Sequence, residues 1–250
     1  MRWIQKNNSP DNFEKWKAQE KPQFWNQLPG TLPDDRSPHL HYYSKNELRA
    51  ALLEEQNSKC LYCEGCISNH PLKTRIDHVK IPQSDTQSSG HIFDYNNLGL
   101  SCNSEYLHQE SEIRRYRSVT YCDSDIIPME EEAVDNKQKI LPSARHCDAH
   151  KKDQVLSFTP YDRRCEEKLQ FLSDGSVLSE NPDGVHVIKI LNLDAVQLRN
   201  RRQGAIAGFI SDGENKFIEM KKAKELYEKL SERKSLEYSK AILDSLKRLF

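Results

Sequence analysis

Cys60-Leu61-Tyr62-Cys63, then Ile76-Asp77-His78, Asn97-Leu98, Cys102 and Cys147-Asp148-Ala149-His150-Lys151, are the stretches that decide how this chain reads. A Cys-x-x-Cys pair alone is a weak signal. Followed in this order by Asp-His, Asn-Leu and a second cysteine group, it supplies two kinds of donor. Cys60, Cys63, Cys102 and Cys147 are four soft ligands, enough to close a tetrahedral structural zinc site. The histidine, the asparagine and two carboxylates are left for a second, harder cation. Cys102 and Cys147 stand 45 positions apart, so the chain must loop out and return for them to share one ion.

Composition limits what surrounds this set. The chain has 250 residues, enough for one good core or one core with a small appended domain. Charged residues make up 30% and hydrophobic residues 36%, and the mean hydropathy is −0.84, which implies a polar protein with a modest core. No apolar run approaches the roughly 20 residues of a membrane span. The opening Met1-Arg2-Trp3-Ile4-Gln5-Lys6 contains no export-type apolar stretch, so the expected location is the cytoplasm. In a reducing compartment, seven cysteines point to metal binding more than to disulfides. Cys60, Cys63 and Cys66 form one run, of which one member is spare. Cys122 and Cys165 have no partner spacing and read as small buried hydrophobes. The net charge of −1 carries no nucleic-acid footprint, although Arg114–Arg117, Arg199–Arg202 and His150–Lys152 are short basic clusters.

Three segments follow from the patterning. Residues 1–58 hold Trp3, Trp16 and Trp25 among prolines and suggest short elements pinned by aromatic anchors. Within them, Ser44 and Glu47 form a capping box that opens a helix over about 45–57. Residues 59–165 contain the candidate site, with a strand over 74–81, a second short strand or turn near 94–100, and an acidic insertion over about 103–145. Residues 166–250 read as strands at Lys168–Leu172 and Val185–Leu191, turns at Ser173–Gly175 and Asn181–Gly184, and a helix over 193–209. An amphipathic helix pair over 214–249 completes this segment, with Phe217, Met220, Ala223, Leu226, Tyr227 and Leu230 on one face.

The second donor set suits phosphodiester hydrolysis. That reaction needs a water nucleophile, a cation on the departing oxygen and tolerance of negative charge. A neutral imidazole suits taking the proton of water, which nominates His78 as base. Mg²⁺ or Mn²⁺ suits the oxyanion, which nominates Asp77 and Asp148 as ligands. Neighbours on a strand point to opposite faces, so Asp77 and His78 converge only if the strand ends or bulges there. Asn97 is expected to hold the loop that orients His78, and His150 or Lys151 to meet the phosphate.

These residues resemble the HNH (ββα-metal) nucleases, and among them the PtuB proteins of Septu and retron antiphage defence. The opening Met1–Lys6 with Pro10, Tyr95–Cys102, and Ile190-Leu191-Asn192-Leu193-Asp194-Ala195-Val196-Gln197-Leu198-Arg199 add to the likeness, which spans roughly residues 1–205. The resemblance implies an α+β fold, in which a zinc-stabilised ββα-metal module is embedded in a mostly helical chain. It also implies a DNA endonuclease with His78 as base, Asp77 and Asp148 on Mg²⁺ or Mn²⁺, Asn97 orienting the base, and Zn²⁺ on the four cysteines. The implied partners are a PtuA-like ATPase and, in retron versions, a reverse transcriptase with its RNA–DNA product. The chain departs from the family in splitting the second cysteine pair. It also carries Asp148 where a His or Asn is usual, which leaves His150 as the other possible ligand. Two alternatives stay open: an RNA-cleaving toxin acting on tRNA, and an inactive zinc-stabilised scaffold.

Overall fold

The computed structural model describes residues 1–33, 40–85, 90–104, 145–211, 217–232 and 236–250. Most of the expected insertion, with Arg114–Arg117 and Cys122, lies outside the described residues.

Helix α1 (Asp11–Glu20) buries Phe13 and Trp16. Phe13 packs on Tyr43 with ring centroids 5.1 Å apart, and Trp16 meets Phe93 edge-on at 5.6 Å. Helix α2 (Lys45–Glu55) starts at the expected capping box: the Glu47 amide donates to Ser44 Oγ at 3.3 Å, and the Ser44 amide donates to the Glu47 carboxylate at 2.9 Å. Leu48 and Leu52 of α2 are fully buried in one apolar cluster with Leu98 and Leu100.

Strand β1 (Thr74–His78) pairs antiparallel with β2 (Leu98–Cys102), so that Thr74 faces Cys102, Asp77 faces Gly99 and His78 faces Leu98. The strand is shorter than the sequence pattern suggests, for a local reason. Beyond Val79 the next two amides, of Lys80 and Ile81, donate to the Asn97 side chain instead of to a strand. Helix α3 (Asp148–Lys151) lies against this pair, and its first amide donates to Ser101 Oγ of β2 at 3.2 Å.

A short hairpin, β3 (Gln170–Phe171) and β4 (Val177–Leu178), turns through Gly175 at φ 80. Residues 185–191, expected as a strand, are helical: α4 spans Pro182–Leu191. The apolar run fits either period, and its flank decides. Asn181 caps the helix by accepting the Asp183 amide at 2.8 Å, and Pro182 occupies the first turn, where its missing N–H costs nothing. Helices α5 (Val196–Ile210), α6 (Met220–Ser231) and α7 (Ser239–Lys247) follow. Phe217, read as part of the amphipathic face, instead precedes α6 and bridges Ser211.

The second apolar cluster joins these C-terminal helices to Met1, Leu61, Tyr62 and the cysteines. A buried ionic knot ties it down. Glu64 accepts the Met1 ammonium at 3.0 Å and the Ser239 hydroxyl at 2.8 Å. Burial works against ionisation of Glu64, yet the Met1 ammonium and Lys59 hold its carboxyl down at about 2.

Candidate metal centre and catalytic cavity

Cys60, Cys63, Cys102 and Cys147 are buried, and their Sγ atoms all lie within 4.8 Å of one another. The group could hold a metal ion such as zinc. Thiolates at about 2.3 Å around a tetrahedral ion stand about 3.8 Å from each other. Both Cys60–Cys147 and Cys63–Cys102 are separated by 3.8 Å. Cys66, three positions past the Cys60–Cys63 knuckle, lies outside the cluster. Cys165 is the buried small hydrophobe expected, its thiol pushed up to about 12 by burial. His146, which the sequence reading passed over, puts Nδ1 3.3 Å from Cys147 Sγ and 3.7 Å from Cys102 Sγ.

The cysteines bring the knuckle, the end of β2 and the start of α3 to one point. Beside it opens a cavity of about 340 Å³ lined by Arg75, Asp77, His78, Arg145, Asp148 and Lys152, among others. Because β1 ends at His78, Asp77 and His78 both reach this cavity. Helix α3 is held between two residues in the left-handed region, Cys147 at φ 58 and Lys152 at φ 52. Such conformations cost roughly 1–3 kcal/mol each and persist where the surroundings impose them.

His78 is buried, and its Nε2 lies 3.0 Å from the Ile92 carbonyl oxygen. A carbonyl only accepts, so Nε2 carries the proton and Nδ1 keeps its lone pair. The Trp25 ring meets the imidazole edge-on at 5.0 Å. Burial lowers the His78 pKa and favours the neutral ring. Asn97 braces His91, the residue before Ile92. Its Oδ1 accepts the amides of Lys80 and Ile81, and its Nδ2 donates to the carbonyls of Ile81 at 2.8 Å and His91 at 3.2 Å.

Asp77 is 5% exposed, with both oxygens engaged. One accepts the Tyr62 hydroxyl; the other accepts Lys151 Nζ at 3.1 Å. Burial pushes the Asp77 carboxyl up, against these two donors. Asp148 is pushed up to about 7, first by burial and then by the charge of Asp77, while Arg75 approaches it at 3.8 Å. Asp77 and Asp148 in one cavity offer oxygen donors of the kind a hard divalent cation takes, and their present counter-charges are Lys151 on Asp77 and Arg75 near Asp148. His150 is turned elsewhere: its Nδ1 lies 2.8 Å from the Ile190 carbonyl of α4, and it does not line the cavity. Lys151 is 1% exposed and faces Asp77 instead of the open cavity. Neither role for Tyr62 and Lys151 was legible from spacing.

No family model matches the chain, and neither does any curated protein.

Proposed function

We propose that this chain is an HNH-type, metal-dependent endonuclease that hydrolyses phosphodiester bonds of DNA. One observation carries the reading: a buried neutral imidazole, fixed by Ile92 with Nδ1 unprotonated, shares a cavity with Asp77 and Asp148. His78 takes the proton of the attacking water at Nδ1, and the Ile92 carbonyl stabilises the imidazolium that forms. Asn97 holds Lys80, Ile81 and His91 and, through His91, the neighbouring Ile92 carbonyl. Asp77 and Asp148 would hold Mg²⁺ or Mn²⁺, which supplies positive charge at the departing oxyanion. Arg75, Arg145 and Lys152 line the same opening and meet the phosphates on either side. A zinc on Cys60, Cys63, Cys102 and Cys147 would reinforce the apolar packing of two short strands and a one-turn helix.

The sequence likeness supports placing this nuclease as the effector of an antiphage complex of Septu or retron type, alongside an ATPase and, in the retron case, a reverse transcriptase with its RNA–DNA product. A net charge of −1 fits an effector that relies on a partner to bring DNA to it.

Plasmid cleavage with Mg²⁺ or Mn²⁺, with and without the co-expressed ATPase, tests the reading. Wild type should cut, His78→Ala should not, and both should carry equal zinc. Equal cutting by the two proteins refutes His78 as base. Cleavage of RNA but not DNA by the same preparations moves the substrate to the RNA alternative.

A further inference from the structure

Lys151 spends every N–H of its ammonium on this site. Nζ lies 3.1 Å from Asp77 Oδ1, 3.0 Å from the His78 carbonyl and 3.4 Å from the Lys152 carbonyl, with the side chain 1% exposed. It thereby nails α3 to the two consecutive residues of β1 that enter the cavity. A lysine so enclosed cannot reach out to a phosphate. Its tip sits on the carboxylate that the proposed reaction assigns to the divalent ion.

We propose that Lys151 is a tethered counter-ion that shares Asp77 with the divalent cation, a positioning residue that fixes Asp77 and His78 while weakening cation binding. The inference rests on the reading of Asp77 and Asp148 as cation ligands. Its physical basis is Coulomb's law at short range. A fixed positive charge a few ångströms from the ion opposes binding strongly in a buried site. It also gives the carboxylate a partner whenever the ion is absent, so the cavity need not collapse or rearrange. Tyr62 completes the hold from the zinc knuckle, its hydroxyl on the other Asp77 oxygen.

The test is Mn²⁺ binding to the zinc-loaded full chain, followed by paramagnetic resonance and calorimetry. Lys151→Gln, which removes the charge and keeps a donor, should bind Mn²⁺ at least about tenfold more tightly than wild type at unchanged zinc content. Lys151→Arg, which keeps the charge, should stay near wild type. Unchanged or weaker binding by folded Lys151→Gln overturns the proposal. A second measurement needs no variant: the Lys151 ammonium resonance of wild type should shift as Mg²⁺ saturates, and an unmoved resonance at saturation also overturns it. Asp148→Asn separates the two levels. If wild type and Asp148→Asn bind equally little Mn²⁺, the cation reading of the cavity falls and this inference with it. If wild type binds and Lys151→Gln binds no better, only the inference falls.

Discussion

The Sγ atoms of Cys60 and Cys147 lie 3.8 Å apart, although 87 positions separate them in the chain. Helix α3 has a single turn and cannot form by propensity alone. The thiolate cage at Cys147, together with the bonds of Asp148 to Ser101, His150 to Ile190 and Lys151 to Asp77, holds Asp148 and Lys151 against β1. Metal analysis should find one zinc per chain. Cys147→Ser should lose it and lower the melting temperature by about 10 °C or more, since ligand loss forfeits folding energy directly. Cys165→Ala, which removes a buried cysteine outside the cage, should retain the zinc. Full zinc content in Cys147→Ser would contradict the four-ligand cage.

Gln56 acts as a piece of backbone. Its Nε2 donates to the carbonyls of Lys59 at 2.8 Å and Leu100 at 2.9 Å, and its Oε1 accepts the Leu100 amide at 2.6 Å. It welds the end of α2 to the knuckle and to β2 at 2% exposure. Gln56→Ala would take these partners from the Lys59 carbonyl and the Leu100 amide, while the Leu100 carbonyl keeps the Leu61 amide at 3.0 Å, so a loss of about 2–4 kcal/mol is expected in denaturant unfolding. Gln56→Glu should be nearly as costly, because a carboxylate cannot donate to two carbonyls. A loss below about 0.5 kcal/mol for either variant would mean that water replaces the side chain.

What could be read in the sequence was local. The Ser44–Glu47 box and the Cys60–Cys63 knuckle are each set by residues within a few positions of one another, whereas the strand expected over 74–81 stops at His78 because Asn97, 16 and 17 positions on, takes the Ile81 and Lys80 amides. The misread stretch, Val185–Leu191, was local too. Its apolar run satisfies both periods, and the Asn181-Pro182 pair that reads as a turn is equally a helix start. Tyr62 and Lys151 could not be found that way. They meet at Asp77 from 15 and 74 positions away, where the tertiary fold brings them together. His150 illustrates the converse: next to Lys151 in sequence, it points to α4 because consecutive helical residues face different ways.

Asn97 makes four side-chain hydrogen bonds, one to Lys80, two to Ile81 and one to His91, whose neighbour Ile92 carries the carbonyl that meets the His78 ring. Asn97→Ala should therefore lower kcat about 100-fold while leaving zinc content intact, with the loss in kcat rather than KM. Asn97→Asp keeps the two acceptor contacts but cannot donate, and should fall between Ala and wild type. Rates within twofold of wild type for Asn97→Ala would show that the loop holds His78 without it.

Asp148 gives the Mg²⁺-free protein a distinctive pH dependence. Its carboxyl titrates near 7 in the fold, through burial and the neighbouring Asp77, against roughly 3.9 in an unfolded chain. For an acid whose folded value is raised, the stabilising form is the protonated one. That contribution is complete below the unfolded value and is lost as pH rises through about 7. The full swing is at most about 4 kcal/mol, smaller where water enters the cavity. Zinc-loaded protein in the absence of Mg²⁺ should thus melt at a lower temperature at about pH 8 than at about pH 6. Asp148→Asn should flatten that slope, and Mg²⁺ should raise the wild-type melting temperature more at the higher pH, where both carboxylates are ionised. Thermal melts of the two proteins across this range decide the matter. An identical slope in wild type and Asp148→Asn would show that Asp148 is ionised throughout and that the two carboxylates do not press on each other.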